Sequence, residues 1–283
     1  MAPAVHLREA VALADRFPLL AGVTLEVGEG EIVHLSGPNG AGKSSLLRLC
    51  CGLLPLRSGE AVVLGHDLAV DRREVRRQVG YLGHASFLYE ELTVEENLRF
   101  ALRASGVGGA EASRRATGAM GRLGLTGRLS GTTVVKLSAG QRRRTAIAVV
   151  LGRRPRLWLL DEPHAGLDHD ARVLLDEIVS EARAGGATVV LSSHELGSAG
   201  ALADRVVHLA GGRTVSGSSA GDADAPSAAA APCPDPLPMS DPAPTAQQFG
   251  RAEGASPTSP ARDNASVPDN SGPGRRAEAV HVA

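Results

Sequence analysis

The chain has 283 residues, 43% of them hydrophobic and only 2% aromatic, with 30 Lys+Arg against 31 Asp+Glu for a formal net charge of -1. A sizeable core can be buried, and the balanced charge excludes a nucleic-acid binder held by a broad basic surface, so no nucleic-acid partner is expected. Three cysteines (Cys50, Cys51, Cys233) are too few for a disulfide framework, and the adjacent pair has no zinc-ligand spacing, which fits a reducing compartment. The longest apolar runs fall short of the ~18 residues that span a bilayer. The opening MAPAVHLREA lacks the charged-then-apolar pattern of a signal peptide, so a soluble, cytosolic chain is expected.

Glu31 to Ser36 reads as a short apolar strand ending at Gly37, and Leu46, Leu47, Leu49, Cys50 and Leu53 then recur at helical spacing. Between them stands Gly37-Pro38-Asn39-Gly40-Ala41-Gly42-Lys43-Ser44, followed by Ser45, which matches G-x-x-x-x-G-K-[ST] in the strand-to-helix setting that motif needs. Glycines let the backbone curl so that successive N–H groups face phosphate oxygens, and the helix N-terminus adds its positive dipole. Lys43 supplies charge for β- and γ-phosphates, and the Ser44 hydroxyl is a hard oxygen ligand for Mg²⁺. Lys43 is one of only two lysines in a chain that uses Arg elsewhere, which points to a specific need at that position.

Further along, roughly Ala85 to Gly152 reads as a helical subdomain, with helices over Val94 to Arg103, Glu111 to Leu123 and Gly140 to Leu151. Arg156 to Leu160 and Ala187 to Leu191 read as buried strands, and Val206 to Leu209 as a weaker one. The alternation predicts an α/β fold over residues 1–215. From Ser216 to Ala283 the chain holds 11 of its 17 prolines, with 4 Arg against 8 Asp+Glu. That segment has too little apolar surface to offset ordering entropy and is expected to be a disordered Pro/Ala/Ser-rich tail. The first 215 residues then carry 26 basic against 23 acidic residues, a mildly basic domain. The Arg clusters at Arg72, Arg73, Arg76 and Arg77 and at Arg142 to Arg144 read as solvated helix faces, Cys50 and Cys51 as helix residues packed behind the phosphate loop, and His164 as a turn residue.

Four more segments follow the phosphate loop in order. Leu137-Ser138-Ala139-Gly140-Gln141 opens a helix; Leu157-Trp158-Leu159-Leu160-Asp161-Glu162 is an apolar strand ending in two carboxylates; Ala165-Gly166-Leu167-Asp168 comes next; and Ser192-Ser193-His194 follows a later strand. Over about 210 residues this set resembles the ATP-binding-cassette family, phosphate-loop ATPases with a helical subdomain. The resemblance implies ATP and Mg²⁺ as ligands, with Asp161 completing the metal site begun by Ser44. It implies that Glu162 orients and deprotonates the attacking water, and that His194 bonds the γ-phosphate. Ser138 and Gly140 would bind the γ-phosphate held by an opposite cassette, and Asp168 would contact that cassette's phosphate loop. A chain with one set of motifs would therefore work as a homodimer, or paired with another cassette, in the ATP state.

Two departures from the family pattern stand out. A glutamine that touches Mg²⁺ usually follows the strand before the helical insert; here that strand reads Val79-Gly80-Tyr81-Leu82-Gly83-His84-Ala85-Ser86, with His84 in the glutamine's place and Gln78 too early to substitute. Phe17, the only aromatic before the phosphate loop, is the one candidate to stack on adenine, and its spacing is slightly short. The run Gly83 to Phe100 resembles the ATP-binding subunit of the haem exporter of cytochrome c biogenesis. That implies integral membrane subunits docking near His84 to Glu91, with the chain on the cytoplasmic side of the cell membrane. An exporter ATPase for another substrate (drug, lipid or polysaccharide), a soluble cassette ATPase acting on ribosomes or DNA, and a small-molecule kinase with a phosphate loop are the alternatives.

Overall fold

The computed structural model describes residues 2–193 and 202–215. In chain order these form β1 (Val5–Ala14), β2 (Phe17–Val27), β3 (Ile32–Ser36), α1 (Lys43–Cys50), β4 (Ser58–Val63), β5 (His66–Asp67), α2 (Arg72–Gln78) and β6 (Val79–Leu82). There follow α3 (Val94–Ala104), α4 (Gly109–Arg122), α5 (Ala139–Arg153), β7 (Leu157–Asp161), α6 (His169–Ala184), β8 (Thr188–Ser192), β9 (Arg205–Ala210) and β10 (Arg213–Val215). The α/β class expected from the alternation is what forms. The tail from residue 216 on lies outside the described residues.

One sheet runs β10-β9-β3-β8-β7-β6, parallel from β9 to β6, with only β10 antiparallel at its edge. Parallel neighbours need long crossovers, and the helices that make them cover both faces of the sheet. That is why β7 is a continuous apolar run, buried at every residue. The registers Leu82↔Leu160, Asp161↔Ser192 and Leu35↔Ser192 bring the carboxyl ends of β6, β7, β8 and β3 to one edge. Ligands of open α/β sheets bind outside that edge.

A second, antiparallel sheet in the order β2-β1-β4-β5 has no counterpart in the sequence reading, whose first strand begins at Glu31. Its alternation is broken in β1, where a bulge between Leu7 and Ala10 puts Glu9 in the left-handed region at φ 47°. Backbone and hydroxyl bonds such as Ala21 N to Gly212 O (2.8 Å) and Thr24 N to Thr214 Oγ1 (3.3 Å) tie β2 to the edge of the parallel sheet. Between the sheets lies one core, built around Leu46, Leu47 and Leu49 of α1. The other face of the parallel sheet packs a second core with α3 to α6, including Leu98, Leu102, Ile147 and Ile178. Each fully buried leucine or isoleucine contributes about 1.5–3 kcal/mol.

Leu53 corrects the reading of the first helix. Helix α1 stops at Cys50, Gly52 turns the chain at φ 70°, and Leu53 is half-exposed beyond it. Cys50 and Cys51 are both buried free thiols behind the phosphate loop. Burial pushes the Cys51 thiol up to about 12 and raises that of Cys50 as well, so neither is a nucleophile at neutral pH.

Candidate active site

The phosphate loop leaves β3 at Ser36 and enters α1 at Lys43. Two of its glycines are required by backbone geometry. At Gly37 (φ 142°) a Cβ would stand 2.2 Å from the carbonyl oxygen of Leu209, and at Gly42 (φ 105°) one would stand 3.0 Å from that of Leu19. Gly42 is the N-cap of α1 and offers no side-chain cap, and the first turn has no acidic residue, so the helix start is left to an anion. Lys43 is buried, and its Nζ donates to the carbonyls of Gly37 (2.7 Å) and Pro38 (3.1 Å), drawing the curl closed.

Opposite the loop stands the end of β7. Asp161 is 3% exposed, and its Oδ1 accepts from Ser44 Oγ at 3.0 Å and from Ser192 Oγ at 2.8 Å. Glu162 follows in the left-handed region at φ 46°, a conformation that costs a non-glycine residue about 1–2 kcal/mol. Its N–H donates to both the carbonyl (3.2 Å) and the hydroxyl (3.3 Å) of Ser192 at the end of β8. Strain held in place by neighbouring strands is a mark of functional turns.

Asn39 to Ser45, His84, Asp161 and Glu162 line one open cleft of ≈ 490 Å³, which Pro18 and Leu19 also border. Ser44 Oγ and Asp161 Oδ1 are adjacent hard oxygens, a donor set that suits Mg²⁺, an ion that takes one or two protein oxygens and fills its shell with water and phosphate. His84 is exposed on the same cleft, but its nitrogen is a poorer donor for that ion than an oxygen and suits water or phosphate better. Phe17 lies just outside, 77% exposed at the start of β2.

Ser138, Gly140 and Asp168 do not line this cleft. Ser138 caps α5 in a reciprocal box with Gln141 (3.0 and 3.2 Å), and Asp168 caps α6 through the N–H of Ala171 at 2.9 Å. A Cβ on Gly140 would lie 3.5 Å from the carbonyl of Gly166, so the two helix starts adjoin. Ser138 and Asp168 are exposed, presenting first-turn amides without intrahelical partners to the outside. His194 lies outside the described residues.

The arginine cluster after Gln141 is the main correction. Arg142 and Arg144 are partly exposed, but Arg143 is buried, donating to the carbonyls of Gly83 (2.6 Å), Glu162 (2.6 Å), Asp161 (3.0 Å) and Pro163 (3.4 Å). Three arginines in a row look alike in sequence, and only the helix phase sets the middle one inward. Ser192 was likewise legible only as part of a motif, not as the shared partner of both carboxylate residues. His164 sits in its turn, its Nε2 2.7 Å from Asp176 Oδ1 on α6.

A family model described as ABC transporter matches residues 20–165. The chain is 40% identical over 194 residues to the cytochrome c biogenesis ATP-binding export protein CcmA of Aromatoleum aromaticum, an alignment that covers 68% of this chain and 89% of that protein. It is 39% identical over 197 residues to the daunorubicin resistance ATP-binding protein DrrA2 of Streptomyces coeruleorubidus, covering 70% and 61%. Among solved structures it is similar to a dimeric ATP-binding cassette in a post-hydrolysis state bound to ADP and Pi, at 27% identity and a TM-score of 0.68, covering 74% of this chain and 96% of that one.

Proposed function

The chain belongs to the ABC transporter family and is an ATPase of it, and on that premise we propose that it powers a haem-linked membrane exporter of cytochrome c assembly. In this reading it works as a head-to-tail dimer on the cytoplasmic side of the membrane. The observation that carries the chemistry is the pair Asp161 and Glu162, set by β7 and β8 against a glycine-curled loop and a buried lysine.

ATP lays its phosphates along the amides of Gly40 to Ser45, where Lys43 adds a full positive charge. Ser44 and Asp161 would hold Mg²⁺, which neutralises phosphate charge when bound. Glu162 takes a proton from water as its oxygen attacks the γ-phosphorus; the bond to the bridging oxygen breaks, leaving ADP and phosphate. The exposed ring of Phe17, beside Pro18 and Leu19, is the surface on which adenine would stack. Ser138, Gly140 and Asp168 do not line the cleft of their own chain, and in this reading they serve the ATP of a second cassette.

Docking of membrane subunits fits a second groove of ≈ 260 Å³, bordered by Tyr81, Phe87, Tyr89, Phe100, Val149 and Arg153. Phe87, Tyr89 and Phe100 are about half to two-thirds exposed, and exposed apolar surface of this kind marks an interaction site. The loop that carries two of them is pinned by buried Asn97, whose amide donates to the carbonyls of Tyr89, Leu92 and Thr93 and accepts from Tyr89 N–H. Among the described residues no helix is long and apolar enough to cross a membrane, so this reading assigns the pathway to separate subunits.

Haem linkage rests on the resemblance in Gly83 to Phe100 and on the name of the export protein above; the comparable identity to a drug-resistance protein supports an exporter of other cargo as second reading. Purification of the Glu162→Gln chain from native membranes in mild detergent with ATP separates them. Integral membrane subunits with cytochrome c assembly proteins and a haem chromophore are expected. A different membrane partner discards the haem link, and recovery with ribosomes or DNA alone refutes the transport reading.

A further inference from the structure

Arg143 stands one and a half turns into α5, about 7.5 Å along the axis from the Ser138 cap at 1.5 Å per residue. Its neighbours are spent elsewhere: Arg142 pairs with Glu90 and the carbonyl of Val135, and Arg144 reaches the carbonyl of Leu123. Among the described residues the guanidinium of Arg143 donates only to backbone carbonyls, and those belong to the two loops that flank the hydrolytic cleft. Gly83 immediately precedes His84, while Asp161, Glu162 and Pro163 form the strained turn that aims the carboxylate. Burial works against the charge, and the nearby carboxylates of Asp161 and Glu162 favour it; an arginine stays protonated in such a site.

We propose that Arg143 is a positioning residue that ties the outward-facing start of α5 to the Glu162 turn and the His84 loop of the same chain. Engagement of Ser138 and Gly140 by the ATP of a second cassette then sets this chain's own Glu162 for hydrolysis. The planar fork suits the task because one rigid group spans two loops, whereas an ammonium is a point donor on a flexible stem. The inference rests on the reading of Glu162 as the base and of the active form as a dimer.

The test uses the purified full chain, with steady-state phosphate release measured across MgATP concentrations and MgATP binding measured by calorimetry. For Arg143→Gln the expected result is a fall in kcat of about tenfold or more, in line with a small misplacement of a reacting group. The Kd for MgATP stays at its wild-type value while the thermal midpoint falls with the lost buried hydrogen bonds, the ATP dependence changes from sigmoidal to hyperbolic, and Arg143→Lys recovers part of kcat. Full kcat in Arg143→Gln, or a hyperbolic wild type, overturns the inference. So does a joint fall of kcat and ATP affinity, the signature of a merely structural tie. Normal turnover by Glu162→Gln would instead remove the base reading on which the inference stands.

Discussion

Replacing Ser192 by alanine removes one hydroxyl that two functional residues share. The side chain is fully buried, donates to Asp161 Oδ1 at 2.8 Å and accepts from Glu162 N–H at 3.3 Å. The amide is not orphaned, because it also reaches the Ser192 carbonyl at 3.2 Å. The loss is therefore one buried hydrogen bond to a charged acceptor, about 1.5–3 kcal/mol. Near the middle of that range, about 2 kcal/mol lowers the melting temperature of a domain this size by about 4–8 °C. Ser44 still holds Asp161, so ATP binding survives while kcat falls. Thermal melts of Ser192→Ala, Asp161→Asn and the double variant isolate the charged component; the serine should cost at least about 1 kcal/mol less once Asp161 is neutral. An equal cost in both backgrounds would refute the shared-hydroxyl account.

Lys43→Met should weaken MgATP binding by at least about 2 kcal/mol, roughly 30-fold in Kd, since a unit charge about 4 Å from another at the protein surface is worth about 4 kcal/mol before water takes its place; calorimetric titration reads this directly. His34 is fully buried on β3; burial holds its pKa below the usual histidine value, a hydrogen bond with the backbone of Ser193 works the other way, and repulsion from His208 and Lys43 adds to the lowering. The unfolded chain then binds that proton first, so stability is at its full value above about pH 6.5 and is lost as pH falls toward the folded pKa, by at most about 1.4 kcal/mol per pH unit. Melting of His34→Leu should consequently drop less between pH 7.5 and 5.5 than that of the wild type. Asn97→Ala should cost about 1–3 kcal/mol, because Tyr89 N–H loses its acceptor while the carbonyls of Tyr89, Leu92 and Thr93 keep backbone donors, and should weaken capture of the membrane subunits, with the ATP affinity of the isolated chain unchanged in the same titration.

The parallel sheet was legible because strands buried on both faces are unbroken apolar runs and the loops between them carry motifs with fixed chemistry. Leu157 to Asp161 shows both features within five residues. The antiparallel sheet was not, since the Glu9 bulge shifts the register of β1 and hides its period of two. Within the site, the phosphate loop and the two carboxylates follow from residue type and spacing. Arg143 and Ser192 do not, because their roles are bonds to backbone or to residues 18 to 60 positions away, which no local pattern encodes. The exposure of Ser138 and Asp168 outside the cleft is likewise a property of helix orientation, and in the proposed dimer reading it leaves one chain an incomplete site.

That incompleteness is tested most directly by Glu162→Gln with MgATP, followed by light scattering on a sizing column and by phosphate release. Retained ATP, no turnover and a stable dimer that reverts to monomer when ATP is replaced by ADP is the predicted result. Turnover at the wild-type rate, or a monomer that holds ATP without dimerising, would contradict the account.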